Sequence, residues 1–349
     1  MNKILQAFLP NADESTLTPL GEGIINTTYC VTDADGKRYV IQKINTSVFK
    51  NPKEVMRNTV CVTDWVRNRL REEGKADRPV LTFVQNAEGD YLYETEDGEF
   101  WRCSELIEGA TAHVHVTETK LLYEAAKGYG DFVRLTDGYP AQTLAEVLPD
   151  FHNTAKRYQA FLRSVEEDVA GRAKDVEKEI NYLKSFESMA GQVVEMIEKG
   201  VLPLRVTHND TKLSNVLLDD ATGEAVCVID LDTVMPGTVL YDFGDAIRSG
   251  AASAAEDEPN LDKVNFLPER YRAFRDGFLE VCGDILTDTE RENLLLGAKI
   301  IIFEQAIRFL TDHLNGDTYY KTAFPGHNLV RTRTQIRILA QLVMMEDLL

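Results

Sequence analysis

The stretch of this sequence richest in chemistry is Val206-Thr207-His208-Asn209-Asp210-Thr211-Lys212-Leu213-Ser214-Asn215. An Asp stands two residues after a His and five before an Asn. Residues 216–219 then read as a strand, Ala221-Thr222-Gly223 as a turn, and residues 225–229 as a second strand that ends on Asp230. A hairpin of this kind returns the chain, so Asp210, Asn215 and Asp230 are expected to converge. Phosphoryl transfer needs such a set. A carboxylate orients the attacking hydroxyl and accepts its proton, and oxygen ligands hold Mg²⁺ on nucleotide phosphates. Any one of the three alone would read as a turn residue; their order and spacing carry the argument.

Upstream, Leu20-Gly21-Glu22-Gly23-Ile24-Ile25-Asn26-Thr27-Thr28-Tyr29 lies between β-prone runs. Gly21 and Gly23 permit close backbone approach to phosphate, and Asn26, Thr27 and Thr28 add donors. Without a third glycine a plain hairpin turn explains the segment better when it is taken alone. Lys43, on the strand that follows, is positioned to pair with nucleotide phosphates, or else is a solvated strand charge. Glu54, early in the next helix, is its candidate carboxylate partner, although the helix dipole favours an acid there in any case. Trp101-Arg102-Cys103-Ser104-Glu105-Leu106-Ile107-Glu108-Gly109 reads as an extended segment whose backbone, at Glu105 and Ile107, can meet adenine.

These residues need elements to hold them. Residues 29–32 and 38–45 are β-prone runs flanking the hairpin signal Asp35-Gly36. In the second run Tyr39, Ile41 and Lys43 share one face, and Val40, Gln42 and Ile44 the other. Residues 52–71 read as a helix, 80–84 and 91–94 as strands, and 100–107 as an apolar extended run stopping at Gly109. From residue 117 the period turns helical: 117–135, a long amphipathic helix over 172–199 with Gly200 as its stop, and a helix opened by the Thr287/Glu290 capping pattern and running to Asn315. A β-rich first third before a helical remainder predicts two lobes, residues 1–109 and 110–349, with a cleft between them.

The chain has 349 residues, 57 acidic and 38 basic, for a net charge of −19. That balance argues against a phosphate-tracking nucleic-acid binder and against an anionic membrane surface as partner. No apolar run is long enough to span a bilayer, and the N-terminal ten residues make a poor signal peptide. Five scattered cysteines without a CxxC pair read as thiols in a reducing cytoplasm. His113 and His115 lack a third ligand at zinc spacing.

His208-Asn209-Asp210 with Asn215 and Ile229-Asp230 resembles the aminoglycoside phosphotransferase and choline kinase family. The context is closer still to its N-acetylhexosamine 1-kinase members. The matching segments are residues 21–29, 208–213 with Asn215, 229–233 with Met235-Pro236-Gly237, 242–245 with Ile247-Arg248, and 327–334. They span nearly the whole chain. The departures are Ile24, where a close relative has His, and Ser249, where it has an aromatic residue.

The resemblance implies an α+β, bilobal, protein-kinase-like fold with a β-rich N-lobe, a mainly helical C-lobe and an ATP cleft between. It implies a cytoplasmic enzyme, monomeric or weakly oligomeric. The implied reaction is ATP- and Mg²⁺-dependent phosphorylation of the C1 hydroxyl of a neutral amino sugar, GlcNAc or GalNAc, in salvage of lacto-N-biose and galacto-N-biose sugars. The alternative keeps the fold and takes an aminoglycoside, choline, homoserine or methylthioribose as acceptor.

Asp210 matches the catalytic carboxylate, Asn215 and Asp230 the metal ligands, and Asp242 an acid bracing the catalytic loop. His208 is expected to pack beneath that loop. Arg308 and Tyr319 match positions lining the sugar pocket. Arg308 also lies on a largely apolar helix, where its guanidinium needs an internal carboxylate or a ligand. Retention of Asp210, Asn215, Asp230 and Lys43 together argues against an inactive scaffold.

Overall fold

A computed structural model describes residues 1–20 and 25–349; Gly21, Gly23 and Ile24 lie outside the described residues. The N-lobe is an antiparallel sheet. Strands β1 (Ala12–Pro19), β2 (Thr27–Asp33) and β3 (Arg38–Ile44) are followed by β4 (Phe83–Val84), β5 (Tyr93–Glu94) and β6 (Phe100–Glu105). Their order is β1-β2-β3-β6-β4, with β5 also on β6. At Asp35-Gly36, Gly36 takes φ 84°, and Asp33 Oδ1 accepts the Asp35 and Lys37 amides, so the turn follows from local chemistry. The strands expected over 80–84 and 91–94 shorten to two residues each.

Residues 2–8, within the N-terminal ten that make a poor signal peptide, form helix α1 (Asn2–Phe8). Its Ile4, Leu5 and Phe8 bury against Val31, Ile41, Trp101 and Cys103, covering one face of the sheet. Helix α2 (Pro52–Glu72) starts with Asn51 as cap and Pro52 in its first turn. It covers the other face, where Ile44 packs with Phe49, Val55 and Met56. The two faces of the β3 alternation therefore meet different surroundings.

In the C-lobe, β7 (Ala110–Ala112) pairs with β9 (Val216–Asp219), and β9 with β10 (Ala225–Val228). Strand β8 (Arg205–Thr207) pairs with β11 (Met235–Gly237). Helix α3 (Thr119–Leu135) matches its expectation. Helix α4 (Thr154–Glu167) follows. The single helix expected over 172–199 is instead a 3₁₀ turn and three short helices, α5 (Glu177–Lys184), α6 (Glu187–Ala190) and α7 (Gln192–Glu198). Ser185 Oγ bonds the Tyr182 carbonyl at 2.6 Å, Phe186 turns onto Phe303, and Gly191 breaks the last junction.

Helices α8 (Val239–Gly250), α9 (Pro268–Cys282), α10 (Asp288–Glu292), α11 (Leu294–Leu314) and α12 (His327–Met344) complete the lobe. The Thr287/Glu290 capping box forms, but the helix it opens is interrupted at Asn293, whose side chain bonds the Thr289 carbonyl. Helices α8 and α11 touch through Gly244 and Gly297: a Cβ on Gly244 would collide with the Gly297 carbonyl. None of the described helices is long and apolar enough to cross a membrane.

Candidate active site

The loop between β8 and β9 is held from below. Asp242, in the first turn of α8 and 2% exposed, accepts the His208 amide at 2.9 Å and the Asn209 amide at 2.7 Å. Asp245, one turn on, accepts the Thr211 amide at 2.9 Å. Asn209 sits at φ 63°, a backbone state uncommon for a non-glycine residue. Its side-chain amide holds it there by donating to Thr207 and to the Thr233 carbonyl. Buried His208 accepts the Asp210 amide at Nδ1, 3.3 Å, and so carries its proton on Nε2, which donates to the Ile229 carbonyl at 2.9 Å. With Tyr129 and Phe132 edge-on to its ring, both nitrogens serve the loop.

Asp210 emerges at the loop tip, partly exposed. Its Oδ2 receives Asn215 Nδ2 at 3.0 Å and Lys212 Nζ at 2.8 Å. Asn215 Nδ2 also bonds the Asp210 carbonyl at 2.8 Å, which leaves Oδ1 without a hydrogen-bond partner among the described residues. The Ile229 amide donates to the Asn215 carbonyl at 2.9 Å, joining the two ends of the hairpin and carrying Asp230 alongside. Asp230 has φ 61° and is exposed to solvent. Crowding by protein on its other sides, and the carboxylates of Asp232 and Asp210, push its pKa up to about 6 against the pull of Lys212 and Arg102.

A group strained by neighbouring carboxylates suits a divalent cation. Among the described residues no three His, Cys, Asp or Glu side chains are arranged to hold a metal ion by themselves. Mg²⁺ on a nucleotide needs fewer, because phosphates and water fill its octahedron. Asn215 Oδ1 and the Asp230 carboxylate fit that requirement.

Several N-lobe expectations change. Lys43 pairs with Trp101 across the sheet and lies on the α1 side, where its Nζ meets Glu99 Oε1 at 2.5 Å. It faces away from the cleft, because Ile41 on the same face is buried under α1. Glu54 pairs with Arg57 instead. Thr27, opposite Lys43, shares that outer face, whereas Thr28 shares the inner face with Gln42 and accepts from it at 3.1 Å. Asn26 is buried, and its amide donates to Asp232 Oδ2 at 2.7 Å rather than standing free for phosphate. The Glu105 side chain pairs with Lys37. Its amide donates to the Thr82 carbonyl and that of Leu106 to the Arg38 carbonyl, so among the described residues Ile107 has the first amide past the sheet without a backbone partner.

Sequence reasoning missed two cations beside the acids. Lys212 lies within the catalytic motif, where its spacing alone assigns it no role. Burial works against its charge, but Asp210, Asp230 and Asp245 outweigh it and raise its pKa. Arg102 of β6 pairs with Asp232; only the β3/β6 register reveals which way it points. Asn58 and Thr59 of α2 carry no local sequence signal for their role. Asn58 donates to the Ala145 and Val234 carbonyls, and Thr59 to the Leu231 carbonyl, which ties α2 to the loop after Asp230.

Further along the C-lobe, Arg308 lies 5.4 Å from the Phe151 ring and 5.8 Å from the Tyr320 ring. No carboxylate pairs with it among the described residues; Glu304 one turn away is taken by His152 at 2.9 Å and Thr154 at 2.5 Å. Tyr319 is 71% exposed and edge-on to Tyr320. Buried Asp312 sets this loop by accepting the amides of Thr318, Tyr319 and Tyr320 and the Asn328 side chain.

Solved structures share this fold across nearly their full length. A microcompartment-associated aminopropanol kinase is 15% identical with a TM-score of 0.66, covering 99% of this chain and 96% of its own. A spectinomycin phosphotransferase, solved with ADP and spectinomycin, is 13% identical with a TM-score of 0.59, covering 100% and 98%. A choline kinase of Streptococcus pneumoniae is 15% identical with a TM-score of 0.53, covering 97% and 96%. The profile described as "Phosphotransferase enzyme family" matches residues 16–274, which carry the braced loop, Asp210, Asn215 and Asp230. With most of its length inside that match, the chain belongs to the phosphotransferase enzyme family, the group that includes the aminoglycoside phosphotransferases.

Proposed function

We propose that the chain transfers the γ-phosphoryl group of ATP to the C1 hydroxyl of an N-acetylhexosamine, with ATP held between a nucleotide lobe, residues 1–109, and an acceptor lobe, residues 110–349. The observation that supports a neutral sugar is Arg308, a guanidinium flanked by Phe151 and Tyr320 and lacking a carboxylate among the described residues. Burial opposes its charge, yet Tyr320, Glu304 and Tyr319 hold its pKa above the usual range. Such a group has donors to give to sugar oxygens, and aromatic neighbours suit an apolar sugar face. A cationic acceptor, such as the choline and aminopropanol of the similar kinases, needs unspent carboxylates. Asp245 and Glu256 are matched by Arg248, at 2.9 and 2.6 Å.

In this reading Asp210 Oδ1 receives the acceptor hydroxyl, while Lys212 and Asn215 hold Oδ2 and so fix the carboxylate plane. The hydroxyl proton passes to Asp210 as its oxygen bonds phosphorus in line with the departing ADP. Lys212 keeps a positive charge beside the transferred group. Mg²⁺, held by Asn215 and Asp230, would neutralise phosphate charge.

An acceptor screen at saturating ATP, with and without Mg²⁺ and with products identified by phosphorus NMR, tests the proposal. Sugar 1-phosphate is expected from GlcNAc or GalNAc, and its formation should collapse in Asp210→Asn. Turnover of choline or an aminoglycoside with none on N-acetylhexosamines would refute the acceptor assignment.

A further inference from the structure

With Lys43 turned outward, the nucleotide phosphates lack the N-lobe cation expected from sequence. Strand β6 offers another. Arg102 stands opposite Gln42 in the register, on the sheet face turned toward the C-lobe, and is 3% exposed. Its Nη1 lies 2.5 Å from Asp232 Oδ1, its Nε donates to Gln42 Oε1 at 3.1 Å, and its guanidinium lies 5.5 Å from the Phe83 ring. The other oxygen of Asp232 accepts from Asn26, whose Oδ1 in turn accepts the Asn45 amide at 3.0 Å. One carboxylate, two residues beyond Asp230, thus gathers β6 and the end of the glycine-containing segment.

We infer that Arg102 is the phosphate-binding cation of the nucleotide lobe and that Asp232 is its counter-ion while no nucleotide is bound. The inference rests on the ATP reading above. A triphosphate entering a chain of net charge −19 meets Asp210, Asp230 and Asp232 together. Among the described residues, the cations that pair with these acids are Lys212, on Asp210, and Arg102, on Asp232. Lys212 serves the acceptor side. A buried guanidinium stripped of its partner is costly, so Arg102 can leave Asp232 only for another anion. A phosphate presents paired oxygens that match its planar fork, which a lysine cannot exploit. Gln42 and Phe83 keep the side chain aimed during the exchange, and Asp232 retains the Asn26 donor afterwards.

The test is calorimetric titration of the full chain with adenosine, AMP, ADP and ATP, with and without MgCl₂. The proteins are wild type, Arg102→Gln, Arg102→Lys, Lys43→Met and the double variant Arg102→Gln/Asp232→Asn. Arg102→Gln should weaken ADP and ATP binding by about tenfold or more while leaving adenosine within about twofold. Arg102→Lys should recover part of the loss, and Lys43→Met should match wild type throughout. The double variant, which replaces a buried charge pair by a neutral one and keeps the test valid if Arg102→Gln fails to fold, should remain weak for ADP. Wild-type ADP affinity in the double variant would mean Arg102 only neutralises Asp232, and would overturn the inference. So would unchanged ADP binding in folded Arg102→Gln, or a loss in Lys43→Met as large as in Arg102→Gln. If the wild type binds no adenine nucleotide, the ATP reading fails and the inference with it.

Discussion

Replacing Asp242 by Asn preserves the size of the side chain but turns one acceptor oxygen into a donor. The carboxylate accepts two backbone amides, from His208 at 2.9 Å and Asn209 at 2.7 Å, in a position 2% exposed. The amide can accept only one of them, and its NH₂ group faces the other. One hydrogen bond to a charged group is worth about 1.5–3 kcal/mol, and an unsatisfied buried N–H costs about 1–3 kcal/mol. Because burial has already raised the Asp242 pKa, part of that gain offsets the desolvation of its charge, so a net loss of about 3 kcal/mol is expected. With 349 residues and an unfolding entropy of about 2.1 cal/mol/K per residue, that corresponds to a fall of about 4 °C in Tm if the chain unfolds as one unit.

The loss falls on the two amides just ahead of Asp210, including Asn209 in its left-handed conformation. The variant should therefore lower kcat by about 160-fold if the same ~3 kcal/mol is lost from the aligned state of the loop, with ATP affinity nearly unchanged. Scanning calorimetry, steady-state kinetics and amide exchange at His208 and Asn209 read the three consequences separately. A variant with wild-type Tm, wild-type kcat and unaltered exchange at both amides would falsify the claim that Asp242 holds this loop.

Gly244→Ala places a methyl group against the Gly297 carbonyl where α8 and α11 meet. Overpacking of about 1–3 kcal/mol should lower the denaturant midpoint with unchanged m-value, whereas a wild-type midpoint would contradict the close approach. Asp312→Ala frees the amides of residues 318–320; KM for the acceptor should rise while KM for ATP stays put, and a matched change in both would refute a local role.

Glu304 titrates below the usual glutamate range: burial raises its pKa, but His152, Arg308 and Thr154 outweigh that. A depressed carboxylate adds stability that is fully present above its unfolded pKa of about 4.3 and is lost as pH falls through the folded value. Urea midpoints between pH 6 and 3 should therefore fall less steeply in Glu304→Gln than in wild type; parallel curves would remove Glu304 from acid sensitivity.

Much of the site was legible because it is local in sequence. The spacing of His208, Asp210 and Asn215, the turn at Ala221-Thr222-Gly223 and the return to Asp230 require only a hairpin, and a hairpin is set by turn chemistry and register. The Asp33–Lys37 turn, the Asn51-Pro52 helix start and the Thr287/Glu290 capping box are local in the same way. The helix expected over 172–199 failed where a distant partner intervened, since Phe186 leaves the helical path to pack on Phe303 of α11.

The clearest division lies on β3. Alternation along the strand placed Lys43 with Ile41 and Gln42 with Val40 from sequence alone, because successive side chains point to opposite sides of a sheet. It could not say which side faces the cleft. That depended on α1 burying Ile41 and on β6 presenting Arg102 beside Gln42 toward Asp232, contacts between residues roughly 35 to 130 positions apart in the chain. Local spacing determined which polar residues converge at the candidate site; long-range packing, by desolvating one sheet face and opening the other, decided which cation lies beside them.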